Sequence, residues 1–583
     1  MFFFIACDES RWQIVKYGIA GAILSHAETL SDFIRQQRKP TAINQVILSW
    51  HWSCSWAVQL LHSSEAPRNR TKMKDILQPG INCWKIDKVS ESGLLIDAKD
   101  YYRAFCDAAE IAERYILLAG WQFDSDVALI RKGNGGEAGV TLISFLDQLC
   151  EKKSDLRIYI LAWNFSVIYS IDREWLQSWN FKWNTNERIQ FCFDSCHPFG
   201  ASHHQKYVVV DGRIAFLGGL DLCSGRWDDR SHLTVNPLRV NGDQSPYPPF
   251  HDVQSYHVGP VAARLEEFFK EQWRTVCNHD LDLGAPARSH AVRFENSLPV
   301  QSDRVGVSRT QVRQTDTGNE SVREIRHLFR DAISAAESLI YIENQYFSSQ
   351  AIHEALVRRM SDRRRSHLEI VLVLAKEANA FVEQASIGIA QAKIIRNLRN
   401  LAAQTGHKLG IYYPASAAEN GEEIATYVHS KLLVVDDQFL SVGSANLNNR
   451  SMGLDTELNV SWQVRDGETA TLQSIRNVRV NLLAEHTGLE VREANELART
   501  TGLVSYLDQI CNNQHLRLRL HPNVEGSVEG ESWIETFFPD GLPLDPEGPV
   551  FGEDSYEPIP ENRDGLFPKG INWLSSLLSR GIE

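Results

Sequence analysis

One short block of residues, present twice, constrains this chain more than any other feature. His204-Gln205-Lys206 opens the β-branched run Tyr207 to Val210, and Asp211-Gly212 then turns the chain. His429-Ser430-Lys431 opens Leu432 to Val435, and Asp436-Asp437 makes the second turn. Each turn leads into another strand that ends in small residues, Gly218-Gly219 in one copy and Gly443-Ser444 in the other. The copies stay 225 residues apart from the histidines to these small residues. Two blocks in register over that distance mark an internal duplication.

The duplication extends upstream. Tyr102, Phe105, Cys106 and Ala109 recur at helical spacing and lead into the apolar run Tyr115 to Ala119. Ile325, Leu328, Phe329, Ala332 and Ile333 do the same before Leu339 to Ile342. Helices alternating with short apolar strands predict an α/β protein of two pseudo-symmetric lobes. Each lobe is expected to hold a mixed β-sheet flanked by helices, with the active site at the lobe interface. The expected boundaries are residues 80–278 for the first lobe, 279–303 for a connector and 304–490 for the second lobe. Residues 1–79 match nothing in the repeat and read as an extension of unknown role. Residues 491–583, with six prolines between Pro539 and Pro560, read as a wrap that is partly loop.

Histidine and lysine two apart on a strand point to one side. A neutral imidazole is a good nucleophile toward phosphorus, and a nearby ammonium neutralises phosphate oxygens. One block supplies a nucleophile without an acid. Two blocks facing each other supply both: one histidine attacks, and the other protonates the leaving oxygen and later activates water or an alcohol. The copies are nearly symmetric, so the sequence leaves open which histidine takes which role. Ser444 and Asn446 offer donors for a phosphate, with Gly219 and Asp221 at the equivalent places. Asp252 and Glu457, one per half, are the candidates to hold the second ring nitrogen of each histidine. Asp211 and Asp436 complete the motif, although their place at the turns suits bracing the hairpin. Gly218 and Gly219 could equally mark a strand bulge, and Trp227 and Tyr346 could be core or pocket wall. His203 and His251 lack a lysine partner and are not expected to be catalytic.

The doubled His-x-Lys-x(4)-Asp pattern resembles the phospholipase D superfamily. Longer runs resemble its eukaryotic-type branch: Ile340 to Phe347, Leu217 to Asp228, His251-Asp252-Val253, and Ile475 to Leu489 with Glu485-His486. The resemblance spans about Trp84 to Leu489. It implies metal-independent catalysis without a cofactor on a phosphatidylcholine-like phospholipid at a membrane surface. Choline and phosphatidate would be released, with transfer to alcohols as a side reaction. It assigns His204 as nucleophile, His429 as acid and base, and Lys206, Lys431 and Asn446, supported by Ser444, to the phosphate.

Composition trims the alternatives. The net charge of −14 gives no general attraction to nucleic acid, so neither a nucleic-acid partner nor nuclease activity is expected. A cardiolipin-type phospholipid synthase is the other enzymatic rival. A non-catalytic scaffold is disfavoured because His, Lys and Asp are intact in both copies. Ten cysteines without a CxxC pair give no zinc framework. Met1 to Cys7 is too short for a signal-peptide core, and polar residues interrupt Val46 to Leu61. No transmembrane segment is therefore expected, and a cytoplasmic monomer, peripheral to a membrane, is the expectation.

Overall fold

The computed structural model describes residues 3–6, 12–15, 75–131, 139–163, 185–198, 200–281, 283–284, 293–312, 321–377, 381–418, 421–522 and 545–548. The Val46 to Leu61 stretch and most of the two terminal regions lie outside them. Residues 1–72 form a unit of their own, in which Phe3–Ala6 pairs antiparallel with Trp12–Val15. The second unit, from Met73 onward, holds both copies of the motif.

Four strands of the first half frame the motif: β1 (Tyr115–Gly120), β2 (Tyr207–Val210), β3 (Ile214–Gly218) and β4 (Val253–Val258). Their counterparts are β5 (Leu339–Asn344), β6 (Lys431–Val435), β7 (Phe439–Gly443) and β8 (Glu457–Gln463). In the first sheet the order runs Leu298–Pro299, Glu91–Ile96, β4, β3, β2, β1, Arg157–Trp163, Ile189–Asp194. In the second it runs Val322–Arg323, Arg304–Gln311, β8, β7, β6, β5, Glu369–Leu374, Lys408–Ala417, Glu423–Ala425. β1 and β5 each pair parallel with the strand on one side and antiparallel with the motif strand on the other. Both sheets are thus mixed, and the duplicated sequence folds into a duplicated α/β topology.

Strand periodicity explains how the halves meet. Tyr207 and Val209 of β2, with Leu432 and Val434 of β6, share one buried apolar core. Their neighbours Val208 and Val210 face a second cluster, and Leu433 and Val435 a third. Alternate residues therefore point inward to a core common to both sheets and outward to helices such as Asp97–Glu110 and Glu324–Ala335. Two exchanged strands stitch the halves. Lys85–Lys88 pairs with Arg304–Gln311 of the second sheet. Leu298–Pro299, inside the expected connector, pairs with Glu91–Ile96 of the first. Among the described residues, no helix is long and apolar enough to cross a membrane.

Candidate active site

Short parallel bridges between the halves bring the two histidines to one place. His203 bridges Thr456, and the His204 amide donates to the Thr456 carbonyl at 2.9 Å. At the equivalent spot Phe250 and His251 pair with Tyr427 and Val428, and the His429 amide donates to the His251 carbonyl at 2.8 Å. Each motif histidine is thereby fixed beside the residue that follows in the other half, and that residue is acidic.

His204 Nδ1 lies 3.0 Å from Glu457 Oε1 and 3.1 Å from the Ser444 carbonyl. His429 Nδ1 lies 2.6 Å from Asp252 Oδ2. The orienting acids are therefore exchanged: each half supplies the carboxylate for the other half's imidazole. They are structural equivalents, because Gly218 pairs with Gln254 and Gly443 with Asn459, and each acid stands two residues earlier. With only acceptors around it, each Nδ1 carries the proton and donates, which leaves each Nε2 with its lone pair free.

Burial first, and Lys206 and Lys431 next, hold the His204 imidazole well below its ordinary pKa. Burial, Lys431, Arg226, Lys206 and then His204 itself do the same for His429. Both rings are neutral at neutral pH. The two motifs are close enough that each imidazole feels the lysine of the other half. Burial raises Glu457 to about 7 and Asp252 to about 6. Lys431 is lowered to about 7, by burial and by Lys206 against the opposing pull of Asp252. Such a pocket, crowded with cations and short of ionised carboxylate, is set to receive an anion.

Lys206 Nζ sits 3.2 Å from Asp221 Oδ2 and 3.0 Å from the His204 carbonyl. Lys431 Nζ sits 3.1 Å from Gln345 Oε1 and also donates to the His429 carbonyl. Asn446 replaces Asp221 in the second half, and its buried Oδ1 has no hydrogen-bond partner among the described residues.

Four expected site residues have contacts of their own away from the two Nε2 atoms. Gly219 and Ser444 lie against the two carboxylates. A Cβ at Gly219 would sit 2.2 Å from Asp252 Oδ1, so only glycine lets that carboxylate in. Ser444 is buried and its hydroxyl donates to Glu457, while Ser451 Oγ donates to the other oxygen of the same carboxylate at 2.6 Å. Asp211 and Asp436 lie beyond the far ends of β2 and β6 and do not join the histidines. Asp211 accepts the amides of Glu113, Arg114 and Tyr115 at 2.7–2.9 Å. Asp436 accepts those of Glu337, Ser338 and Leu339 at 2.7–2.8 Å. Both adopt left-handed backbone, with φ of 50° and 54°, as the two turns require. Trp227 belongs to the first-half core, and His203 ties Asp194 to Thr456.

Sequence reasoning missed Arg226, whose charge acts on His429 and whose guanidinium lies 5.1 Å above the Phe250 ring. It also missed a buried polar cluster beneath the site. His251 contacts Glu485 at 2.8 Å, Asp97 at 3.1 Å and Glu343 at 3.0 Å. His232 joins Asp228 at 3.0 Å to Glu485 at 3.1 Å, and His486 contacts Glu343 at 3.0 Å. Ser430, between the motif histidine and lysine, donates to Glu343 at 2.7 Å. Burial would lower His232, but Asp97, Asp228 and Glu485 raise it to about 9; His251 rises well above its ordinary value on the same balance. Four donors here lie within 4.8 Å of one another, close enough for a cation. Both ring nitrogens of His232 and of His251 face carboxylates there, and Arg230 and Arg239 pair with Glu485 and Asp228. The His251-Asp252-Val253, Glu343 and Glu485-His486 runs were visible in the sequence, and their shared task is this cross-half clamp.

A family model described as Phospholipase D matches residues 108–379, and one described as Cardiolipin synthase, PLD-like domain, matches 329–478. The two matches together run across both copies of the motif. The chain belongs to the phospholipase D superfamily. It is 27% identical over 470 residues to Phospholipase D A of Dictyostelium discoideum, covering 68% of this chain and 35% of that protein. It is 25% identical over 512 residues to Phospholipase D alpha 3 of Arabidopsis thaliana, covering 65% and 62%. The chain thus spans about a third of one relative and under two thirds of the other. A solved phosphatidylserine synthase from Haemophilus influenzae aligns with a TM-score of 0.45 and 12% identity, over 73% of this chain and 94% of that one.

Proposed function

We propose that the chain is a phospholipase D acting on the distal phosphodiester of a phosphatidylcholine-like glycerophospholipid. His204 Nε2 attacks phosphorus while Lys206, Lys431 and Asn446 hold the non-bridging oxygens. The bond to the head-group oxygen breaks, and that oxygen takes the Nε2 proton of His429, which binding of the phosphate anion beside the lysines has first drawn from water to give the doubly protonated ring, so choline leaves with a hydroxyl. The phosphatidyl group stays on His204 as a phosphohistidine whose positive ring is balanced by Glu457. His429, now neutral, removes a proton from water, the hydroxyl adds to phosphorus, and the bond to His204 breaks to release phosphatidate. An alcohol in place of water gives transphosphatidylation.

The observation that carries this reading is the crossed pair of contacts, His204 to Glu457 and His429 to Asp252, around one cationic pocket. The relatives' names, each a phospholipase D, support a phospholipid as substrate. The match of the second half to a cardiolipin synthase model favours one rival, a synthase in which the accepting alcohol is itself a phospholipid. Incubation with phosphatidylcholine, acid-free quenching and peptide mass spectrometry should find phosphatidyl or phosphoryl mass on His204. Choline release without a lipid-linked product separates hydrolysis from synthesis. Full turnover by His204→Ala would end the proposal.

A further inference from the structure

A second basic cavity opens at the opposite end of the second sheet. Helices α1 (Glu324–Ala335) and α2 (Gln350–Ser361) and the loop after α2 enclose about 690 Å³. That is a ligand-sized volume. Arg330, Arg358, Arg359, Arg364 and Arg365 line it against only Asp331 and Asp362, in a chain whose net charge is −14.

The ordinary explanation for arginines at helix C-termini is that they cap carbonyls, and part of this cluster does so. Arg365 donates to the Ser334, Ala335 and Ala336 carbonyls, and Arg359 Nε donates to Ala336 at 2.8 Å. Arg364 pairs with Asp362. Capping accounts for neither Arg330 nor Arg358, which have no carboxylate partner among the described residues. It also leaves Arg359 incomplete. That side chain is only 3% exposed, and its Nη1 is buried with no hydrogen-bond partner. An unsatisfied buried guanidinium nitrogen costs folding free energy unless something accepts from it.

We infer that this cavity is a binding site for a phosphate-bearing anion taken from water, held by Arg330 and Arg358, with Arg359 in its wall. Planar guanidinium donors converging on one cavity suit phosphate oxygens, which accept in pairs. The aqueous source follows from placement. The cavity adjoins the Leu339 end of β5, while Lys431 pairs with Asn344 at the other end. Six residues of strand put about 17 Å between those ends. A protein turning its histidine pocket to a bilayer turns this cavity away from it. The inference is independent of which phosphodiester the catalytic pocket takes.

The test uses the full chain and inorganic pyrophosphate as probe, titrated calorimetrically into wild type, Arg330→Ala/Arg358→Ala and Lys206→Met/Lys431→Met. The expected result is at least tenfold weaker binding in the double arginine variant, unchanged binding in the double lysine variant, and basal turnover retained by the arginine variant. Binding lost with the lysines and kept without the arginines would overturn the inference, as would no binding by wild type at millimolar probe. Flotation with phosphatidylcholine vesicles, with and without phosphatidylinositol bisphosphate, tests the source. Retention that needs Arg330 and Arg358 would assign the cavity to a lipid head group and overturn the aqueous source; equal flotation of wild type and variant supports it.

Discussion

Replacing Glu457 with glutamine should separate activity from stability. The carboxylate is fully buried, accepts from Ser444 and Ser451, and faces His204 Nδ1 at 3.0 Å. Its pKa is raised from 4.5 to about 7, chiefly by burial. Stability associated with this group is therefore complete below about 4.5 and lost as pH rises through about 7. Keeping it ionised at pH 8 costs the fold about 3 kcal/mol, from a shift of that size at about 1.4 kcal/mol per tenfold. Glutamine removes that cost and keeps the shape, while giving up parts of three hydrogen bonds worth about 1 kcal/mol each. The melting temperature at pH 8 should not fall. Activity should fall on the order of 100-fold in kcat, because an amide neither fixes the Nδ1–H tautomer nor balances the charged phosphohistidine, a charge-assisted contact of about 2–3 kcal/mol. The wild-type acid limb, in which activity rises as Glu457 ionises near pH 7, should flatten in the variant. Choline-release kinetics from pH 5 to 9 beside thermal melts in the same buffers make the measurement. A variant within threefold of wild type, or one whose melting temperature and activity fall together, would refute the orienting role.

Gly219→Ala should displace the Asp252 carboxylate from His429, since the new Cβ would meet Oδ1 at 2.2 Å; kcat should drop roughly 100-fold, read in the same assay against an unchanged Lys206-dependent KM. Asp211→Asn and Asp436→Asn should lose about 2–4 kcal/mol of stability in urea melts, because each carboxylate holds three backbone amides, while the folded fraction keeps near-normal kcat. A tenfold kcat loss in a stable Asp variant would return that residue to the chemistry. For the His232 cluster the sign is opposite to that of Glu457: a histidine raised to about 9 lends stability that is complete below about 6.5 and lost as pH rises through about 9. The melting temperature should fall between pH 8 and 10, and His232→Gln should blunt that fall.

Much of this was legible along the chain. The His204–Lys206 and His429–Lys431 blocks, the strands after them and the helices before them all follow from local spacing, which periodicity reads directly. Asp252 and Glu457 were found as well, since an imidazole needs a partner for its second nitrogen. Their crossing was not. The copies hold a 225-residue offset as far as Gly443, but Gln254 and Asn459, which occupy the same strand register, are 205 apart. A longer excursion between β3 and β4 shifts the register, so a constant-offset comparison loses the acids just where they matter.

Along the chain, patterns of period two and 3.6, which act between near neighbours, were enough to imply two copies of one α/β unit and to single out two histidines and two lysines as candidates for its chemistry. Which carboxylate meets which histidine, and that Asp211 and Asp436 hold backbone amides while Gly219 and Ser444 lie against Asp252 and Glu457, was decided by tertiary structure. The His203–Thr456 and His251–Val428 bridges join residues more than 170 positions apart, and no local rule fixes such a pairing. It arises when two sheets bury their inner faces against each other and their strand ends meet.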